Sequence, residues 1–328
     1  ATWINTTSGE IFVATDITSG ENVWKGTDGT TVEALFYGSR GLFAGNYTDA
    51  GNQDRISYIT IATTGNVTDF GNLVADRWKL AGCSNGSRGI FGGGSNSGGN
   101  MLPIDYVTIA TTGNASDFGD LTLAKGMPSA CSDGIKGVFG GGFYSGAERN
   151  VIDYITIATT GNAIDFGDLS VTRYGGAACA DRTRGVFGGG RTNAGTLYNT
   201  LDYITIATTG NAIDFGDLTL GGSFPGATSN KTRGVFGGGW NGSPAAQHNV
   251  LDYITIATTG NATDFGDLTF ARYGLSGLSD GIKAVFAGGY STLYHDTIDY
   301  VTIATTGNAT DFGDLAAGAY TIGACSGN

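Results

Sequence analysis

One sixteen-residue phrase recurs six times along the chain and constrains almost everything else. Its third copy, Tyr154 to Leu169, reads Tyr-Ile-Thr-Ile-Ala-Thr-Thr-Gly-Asn-Ala-Ile-Asp-Phe-Gly-Asp-Leu; the others begin at Tyr58, Tyr106, Tyr203, Tyr253 and Tyr300, in steps of 47 to 50 residues. A second phrase, Gly-Val-Phe-Gly-Gly-Gly or a near variant, keeps the same beat, with its phenylalanines at Phe43, Phe91, Phe139, Phe187, Phe236 and Phe286. A period near 50 marks a repeat architecture, in which each unit buries its apolar face against a neighbour. The length of 328 residues alone suggests two domains, but six units closed into a ring form one body.

One unit reads as four short strands. Ala177–Ala180 is a small-residue strand, Asp181-Arg182-Thr183 a turn, and Arg184–Gly188 a second strand ending in glycines. A polar loop spans 191–200, Leu201–Ala207 alternates as a third strand, Thr209-Gly210-Asn211 turns, and Asp214–Leu218 is the fourth. Plentiful Thr, Ile, Val, Tyr and Phe with 58 Gly suit short strands and tight turns. Four antiparallel strands repeated radially make a β-propeller blade. The expectation is an all-β, six-bladed propeller over residues 31–328 with a short β-leader over residues 1–30. The first strand occurs only five times between repeats, near Cys83, Cys131, Cys179, Thr228 and Leu278. The tail, Tyr320–Cys325, matches Tyr174–Cys179 in spacing and is expected to complete the first blade beside Arg40–Phe43 and latch the ring, ahead of Val32–Tyr37 as the competing strand.

The unit resembles kelch-type propeller repeats. Gly188-Gly189-Gly190 stands in the place of that family's glycine doublet, Tyr203 and Phe215 in its aromatic places, and Arg77, Arg173 and Arg272 in its arginine place. The fourth-strand aromatic is Phe where the family usually has Trp, and the preceding hairpin is longer. In the leader, Trp3 to Val13 reads as a hairpin turning at Ser8-Gly9 and continuing to Val23-Trp24-Lys25. This pattern looks like small β-modules of phage tail fibres, and the repeat wording resembles that of marine phage virion proteins of the cyanophage type. The resemblance implies a structural, extracellular or virion-surface protein within an oligomeric assembly, with other virion or fibre subunits as partners.

Composition closes several alternatives. The formal charge is −12 and Lys and Arg never cluster, so a nucleic-acid or anionic-membrane footprint is missing. No apolar run approaches a membrane span. Cys83, Cys131, Cys179 and Cys325 share one repeat position and read as small buried hydrophobes, not as a disulfide framework. His248 and His295 are the only histidines and are not repeat-equivalent. No catalytic constellation has a local signature, so no enzymatic activity and no cofactor are expected. Asp117, Asp120, Asp165 and Asp168, from the repeated Asp-Phe-Gly-Asp, are weak calcium candidates; calcium needs six to eight oxygens, and turn capping is the stronger reading.

Strand alternation sorts the loops onto two faces. The turns joining strands one to two and three to four are nearly invariant, whereas the loops joining two to three and four to one differ in every blade. The variable loops carry Tyr47, Phe143, Tyr144, Tyr198, Trp240, Tyr290 and Tyr294, together with Trp78, Tyr174, Phe224, Tyr273 and Tyr320. Aromatic faces beside Asn, Gln, Ser and Arg suit carbohydrate, with rings stacking on the sugar and polar groups meeting its hydroxyls. The expected role is a non-enzymatic recognition module of a tail-fibre-like appendage, binding a host-surface glycan or protein through Tyr47, Trp78, Phe143, Tyr144, Tyr174, Tyr198, Trp240, Tyr273, Tyr290 and Tyr294. The competing readings are a protomer of a stacked fibre and, third, a polysaccharide depolymerase. The aromatics of the four-to-one loops also read as core plugs, with the two-to-three loops as solvated filler.

Overall fold

The alternating pattern of Thr200–Thr205 buries Leu201, Asp202 and Ile204 and leaves Thr205 in water, and the same pattern recurs in the third strand of every blade. The computed structural model describes residues 2–4, 11–16, 23–26, 31–32, 38–48, 51–242 and 247–327. The chain divides into two compact units, Ala1–Leu35 and Phe36–Asn328. The first is a four-stranded antiparallel meander of Thr2–Ile4, Ile11–Asp16, Val23–Gly26 and Thr31–Val32, with Trp3 opposite Phe12 and Trp24 opposite Val32. It contains the expected hairpin and adds a fourth strand. The expected Ser8-Gly9 turn and residues 33–37 lie outside the described residues, and Val32 belongs to the leader's own sheet.

The second unit is a six-bladed β-propeller of four-stranded antiparallel sheets, with no helix among the described residues. Blade 4 shows the plan: Ala177–Ala180, Arg184–Gly188, Thr200–Thr205 and Ile213–Asp217 pair in chain order. The first strands contact one another in turn around the axis, so each sheet runs outward from the centre. Blade 1 is closed by the tail: Gly323–Gly327 pairs with Arg40–Thr48, Ala324 opposite Phe43 and Gly327 opposite Arg40. The closing strand is the one expected, shifted toward the C-terminus. The two-to-three connections depart from solvated filler in four blades, and in blade 2 Ser95–Asn96 pairs with Gly99–Asn100 as a separate hairpin. In blade 1, Arg40–Thr48 and Gly51–Thr60 continue their ladder to Thr48 and Gly51. Blade 5 pairs Trp240 with Gln247, and blade 3 pairs Phe143–Tyr144 with Ala147 and Glu148.

The core is a set of slabs between blades. One cluster joins Cys83, Ile90, Ile104 and Phe118 of blade 2 to Phe139, Ile155 and Ile157 of blade 3, and another joins Phe43 and Ile59 of blade 1 to Leu278, Val285 and Phe312 of blade 6. The four cysteines are free and buried, and each faces a glycine of the next blade, as Cys179 faces Gly234.

The invariant turns are inter-blade fasteners. In the Thr-Thr-Gly-Asn turn of blade 5, the Gly260 amide donates to Phe215 O (2.7 Å) and the Asn261 side-chain oxygen accepts from the Asp217 amide (3.0 Å). Gly216, in the Asp-Phe-Gly-Asp of blade 4, has φ +143°, and a Cβ there would lie 2.5 Å from the Gly260 carbonyl. Both phrases therefore recur for one reason, with Asn72 in place of the last aspartate in blade 1 alone: the outer strand of each blade receives the turn of the next. The basic residue opening each second strand makes a second fastener. Arg40 donates to Ile109 O and Ala110 O of blade 2 (3.0 and 2.8 Å) while lying over its own blade's Tyr58 ring, 4.9 Å from the centroid.

Candidate ligand-presenting face

The variable face is organised around the mouth of the central channel. In each blade one residue just before the first strand is left-handed: Lys79, Met127, Gly175, Phe224, Gly274 and Thr321, with φ between +53° and +73°. Their amides and carbonyls form a closed circle. Met127 N donates to Lys79 O (2.8 Å), Gly175 N to Met127 O, Phe224 N to Gly175 O, Gly274 N to Phe224 O, Thr321 N to Gly274 O, and Lys79 N to Thr321 O (3.0 Å). Six peptide groups that water would otherwise solvate are thus satisfied by one another. The circle surrounds a cavity of about 110 Å³ at the channel mouth.

The variable loops are anchored to this rim. The residue preceding each left-handed position pairs through its backbone with the two-to-three loop of the blade it enters: Trp78 with Ser95, Gly126 with Phe143, Tyr174 with Arg191, Ser223 with Trp240, Tyr273 with Tyr290 and Tyr320 with Tyr47. Loop bases that differ in sequence are therefore held by the same main-chain bonds, and only the side chains change.

Seven of the expected ligand residues come together. Tyr47 and Trp78 have ring centroids 4.8 Å apart, Tyr47 meets Tyr294 at 6.0 Å, Tyr294 meets Tyr290 at 5.3 Å, and Tyr290 meets Tyr273 at 5.7 Å. Phe143 and Tyr174 pair at 5.2 Å. Two further rings join the groups. Tyr320 contacts Trp78, Phe224, Tyr273, Tyr290 and Tyr294, and Phe224 contacts Tyr174 and Tyr273. Tyr320 lies against Gly274 and Phe224 against Gly175, so these two are plugs across the mouth as well as surface. All these rings are half-buried. Trp240 joins through Arg191, whose guanidinium lies 4.9 Å from its ring and 5.9 Å from that of Tyr174. Tyr144 stands apart under Arg149, 5.8 Å from the ring centroid. Tyr198 is half-buried and makes no aromatic pair among the described residues.

Burial sets the electrostatics. It pushes the Lys79 ammonium down to about 8, while the Trp78 ring, 3.6 Å from Nζ, favours the cation and opposes that shift. Burial among neighbouring phenols pushes Tyr320 and Tyr273 up, so both stay neutral donors. Cations over rings beside neutral phenols form a surface that can stack on an apolar face and donate to oxygen.

Lys79 and Arg191 join this face without being among the expected ligand residues; Arg191 opens the polar loop over 191–200, directly after the glycine triplet. Asp117 and Asp165 are exposed and Asp120 and Asp168 half-buried. Their motif serves the latch: the Asp120 amide donates to the Asn162 side chain and its carbonyl accepts from Ala163. No cluster of three or more acidic, His or Cys side chains arranged to hold a metal occurs among the described residues. Ser291 Oγ and His295 Nε2 lie 2.7 Å apart. The imidazole leans on Phe270 at 4.4 Å, and no carboxylate hydrogen-bonds to it among the described residues. No family model matches the chain, and no curated protein matches it.

Proposed function

We propose that this protein is a kelch-like propeller serving as a non-enzymatic recognition module of a virion appendage of tail-fibre type, displayed outside the cell and presenting its variable face to a host-surface glycan. The carrying observation is the chain of half-buried rings from Trp78 through Tyr320 to Tyr290, mounted on six loop bases with identical main-chain anchoring. Scaffold contacts account for the repeated turns of the constant face, whereas Trp240 and Tyr144 take part in neither the turn fastener nor the basic-residue fastener. Glycan binding measured with Trp240→Ala and Tyr144→Ala tests the reading: at least about tenfold weaker binding supports it, and unchanged binding sinks it.

A second reading, a fibre of stacked propellers, is favoured by a separate observation. Ile135, Ile164, Ile213 and Ile282 expose 59 to 68% of their surface and flank the invariant turns, and the leader sheet offers the edge strands Thr2–Ile4 and Thr31–Val32. Exposed apolar residues and open strand edges both invite pairing with another chain. Filaments in negative-stain images of the pure protein would favour it, and single rings would disfavour it.

A further inference from the structure

The loop entering a blade normally sends a cation to the aspartate of that blade's third strand. Arg77–Asp105, Lys125–Asp153, Arg173–Asp202 and Arg272–Asp299 are each 2.9 Å apart with both side chains buried. At the entry to blade 5, Gly222 replaces the cation, and His248 moves in, its Nε2 3.2 Å from where a Gly222 Cβ would stand. At the entry to blade 1 both partners are gone: Ala319 occupies the cation's place and Ser57 the carboxylate's. Among the described residues nothing takes up the space. A cavity of about 240 Å³ remains, with Asn46, Gln53, Arg55, Ser57, Ala319 and Phe43 in its wall.

Three features of that wall point to a ligand. Asn46 Oδ1 is buried with no hydrogen-bond partner among the described residues, and a buried acceptor without a donor requires an explanation. Arg55 stands where the other blades have Pro103, Val151, Thr200, Val250 and Thr297, and it is the one charged residue among the described residues of the wall. The buried Phe43 supplies an apolar surface. A dry cavity of about 150 Å³ already holds benzene, so this one has room for a six-membered ring with its substituents. Because Asn46 and Gln53 come from the two-to-three hairpin and Ala319 from the four-to-one loop, the cavity belongs to the variable face.

We propose that this cavity binds a carboxylate-bearing monosaccharide, a hexuronic acid unit, with the ring against Phe43, a hydroxyl donating to Asn46 Oδ1 and the carboxylate on the Arg55 guanidinium. The inference rests on the glycan-recognition reading and names the sugar class for one subsite. Arginine matches a carboxylate with two parallel donors, and replacing the usual aspartate by Ser57 removes the charge that would repel it.

Saturation-transfer NMR with methyl galacturonoside and methyl galactoside on the whole protein tests it. The double variant Ser57→Asp/Ala319→Arg rebuilds the ion pair of the other junctions and fills the cavity while keeping the fold. Binding of the uronoside, loss of its signal in the filled variant, and about tenfold weaker binding in Arg55→Gln are expected. Equal signals from the two sugars, an undiminished signal in the filled variant, or no uronoside signal at all overturns the inference. Trp240→Ala separates the two claims: it leaves the uronoside signal intact while weakening binding of larger glycans. A protein that binds glycans through Trp240 yet ignores the uronoside retains the recognition reading and loses this one.

Discussion

The Asn66 side-chain oxygen accepts from the Asp314 amide at 3.0 Å, although 248 residues separate them in sequence. It is the same bond that Asn114, Asn162, Asn211, Asn261 and Asn308 make to the blades before them, so the outer rim closes with no seam. In this latch the glycine of the outer strand matters more than the asparagine. Gly216→Ala forces a Cβ to within 2.5 Å of main chain at a positive φ and is expected to cost about 3 kcal/mol. Asn261→Ala loses one exposed hydrogen bond and costs about 1 kcal/mol. Denaturant midpoints of the two variants check the order.

The buried pairs predict a contrast between two equivalent aspartates. Asp299→Asn leaves Arg272 charged and uncompensated, at about 3–5 kcal/mol. Asp252 has no cation facing it among the described residues, accepts from Thr219 N and Oγ at 2.9 and 2.7 Å, and is pushed up by burial. A carboxyl raised in the folded state weakens folding above its unfolded pKa and is relieved as pH falls. Asp252→Asn is therefore expected to change stability by about 1 kcal/mol or less at pH 7 and to remove that relief. Chemical unfolding of both variants at pH 7 and pH 4 measures it.

The closing strand makes a truncation informative. Ending the chain after Ile322 removes Gly323–Gly327 and leaves Arg40–Ala44 without an inner partner. Each blade is stabilised by its neighbours, so an open ring loses two faces at once. The truncated chain is expected to lose its sharp thermal transition in circular dichroism; an unchanged transition would show that the tail is not structural.

Lys79 predicts a pH dependence of the opposite kind. Its ammonium falls from the ordinary 10.5 to about 8 through burial, so between about pH 8 and 10.5 the unfolded chain holds more protons and stability rises with pH. Lys79→Met abolishes that rise. Melting temperatures of both proteins from pH 7.5 to 10 measure it.

The ring was legible because its fasteners repeat. Thr-Thr-Gly-Asn and Asp-Phe-Gly-Asp are two halves of one contact, so counting the phrase counted the blades, and the unpaired Tyr320–Cys325 revealed the closure. The channel rim was not legible: its left-handed position holds glycine only at Gly175 and Gly274, while Lys79, Met127, Phe224 and Thr321 adopt it under the closed circle of hydrogen bonds. The candidate face was half legible. The aromatic content of the variable loops stands in the sequence, but that Tyr320 joins rings from blades far apart in the chain depends on closure. The cavity at blade 1 left a trace, Ser57 and Ala319 where other units carry Asp and usually a cation, whose meaning requires knowing that those two positions touch.

The most direct test of the central claim is binding of the whole protein to an array of host-surface glycans, beside a Tyr290→Ala/Tyr294→Ala variant with matched melting temperature. Selective binding by the native protein and at least about tenfold weaker binding by the variant are expected. Equal binding by both proteins, or binding to none of the glycans, would contradict the claim.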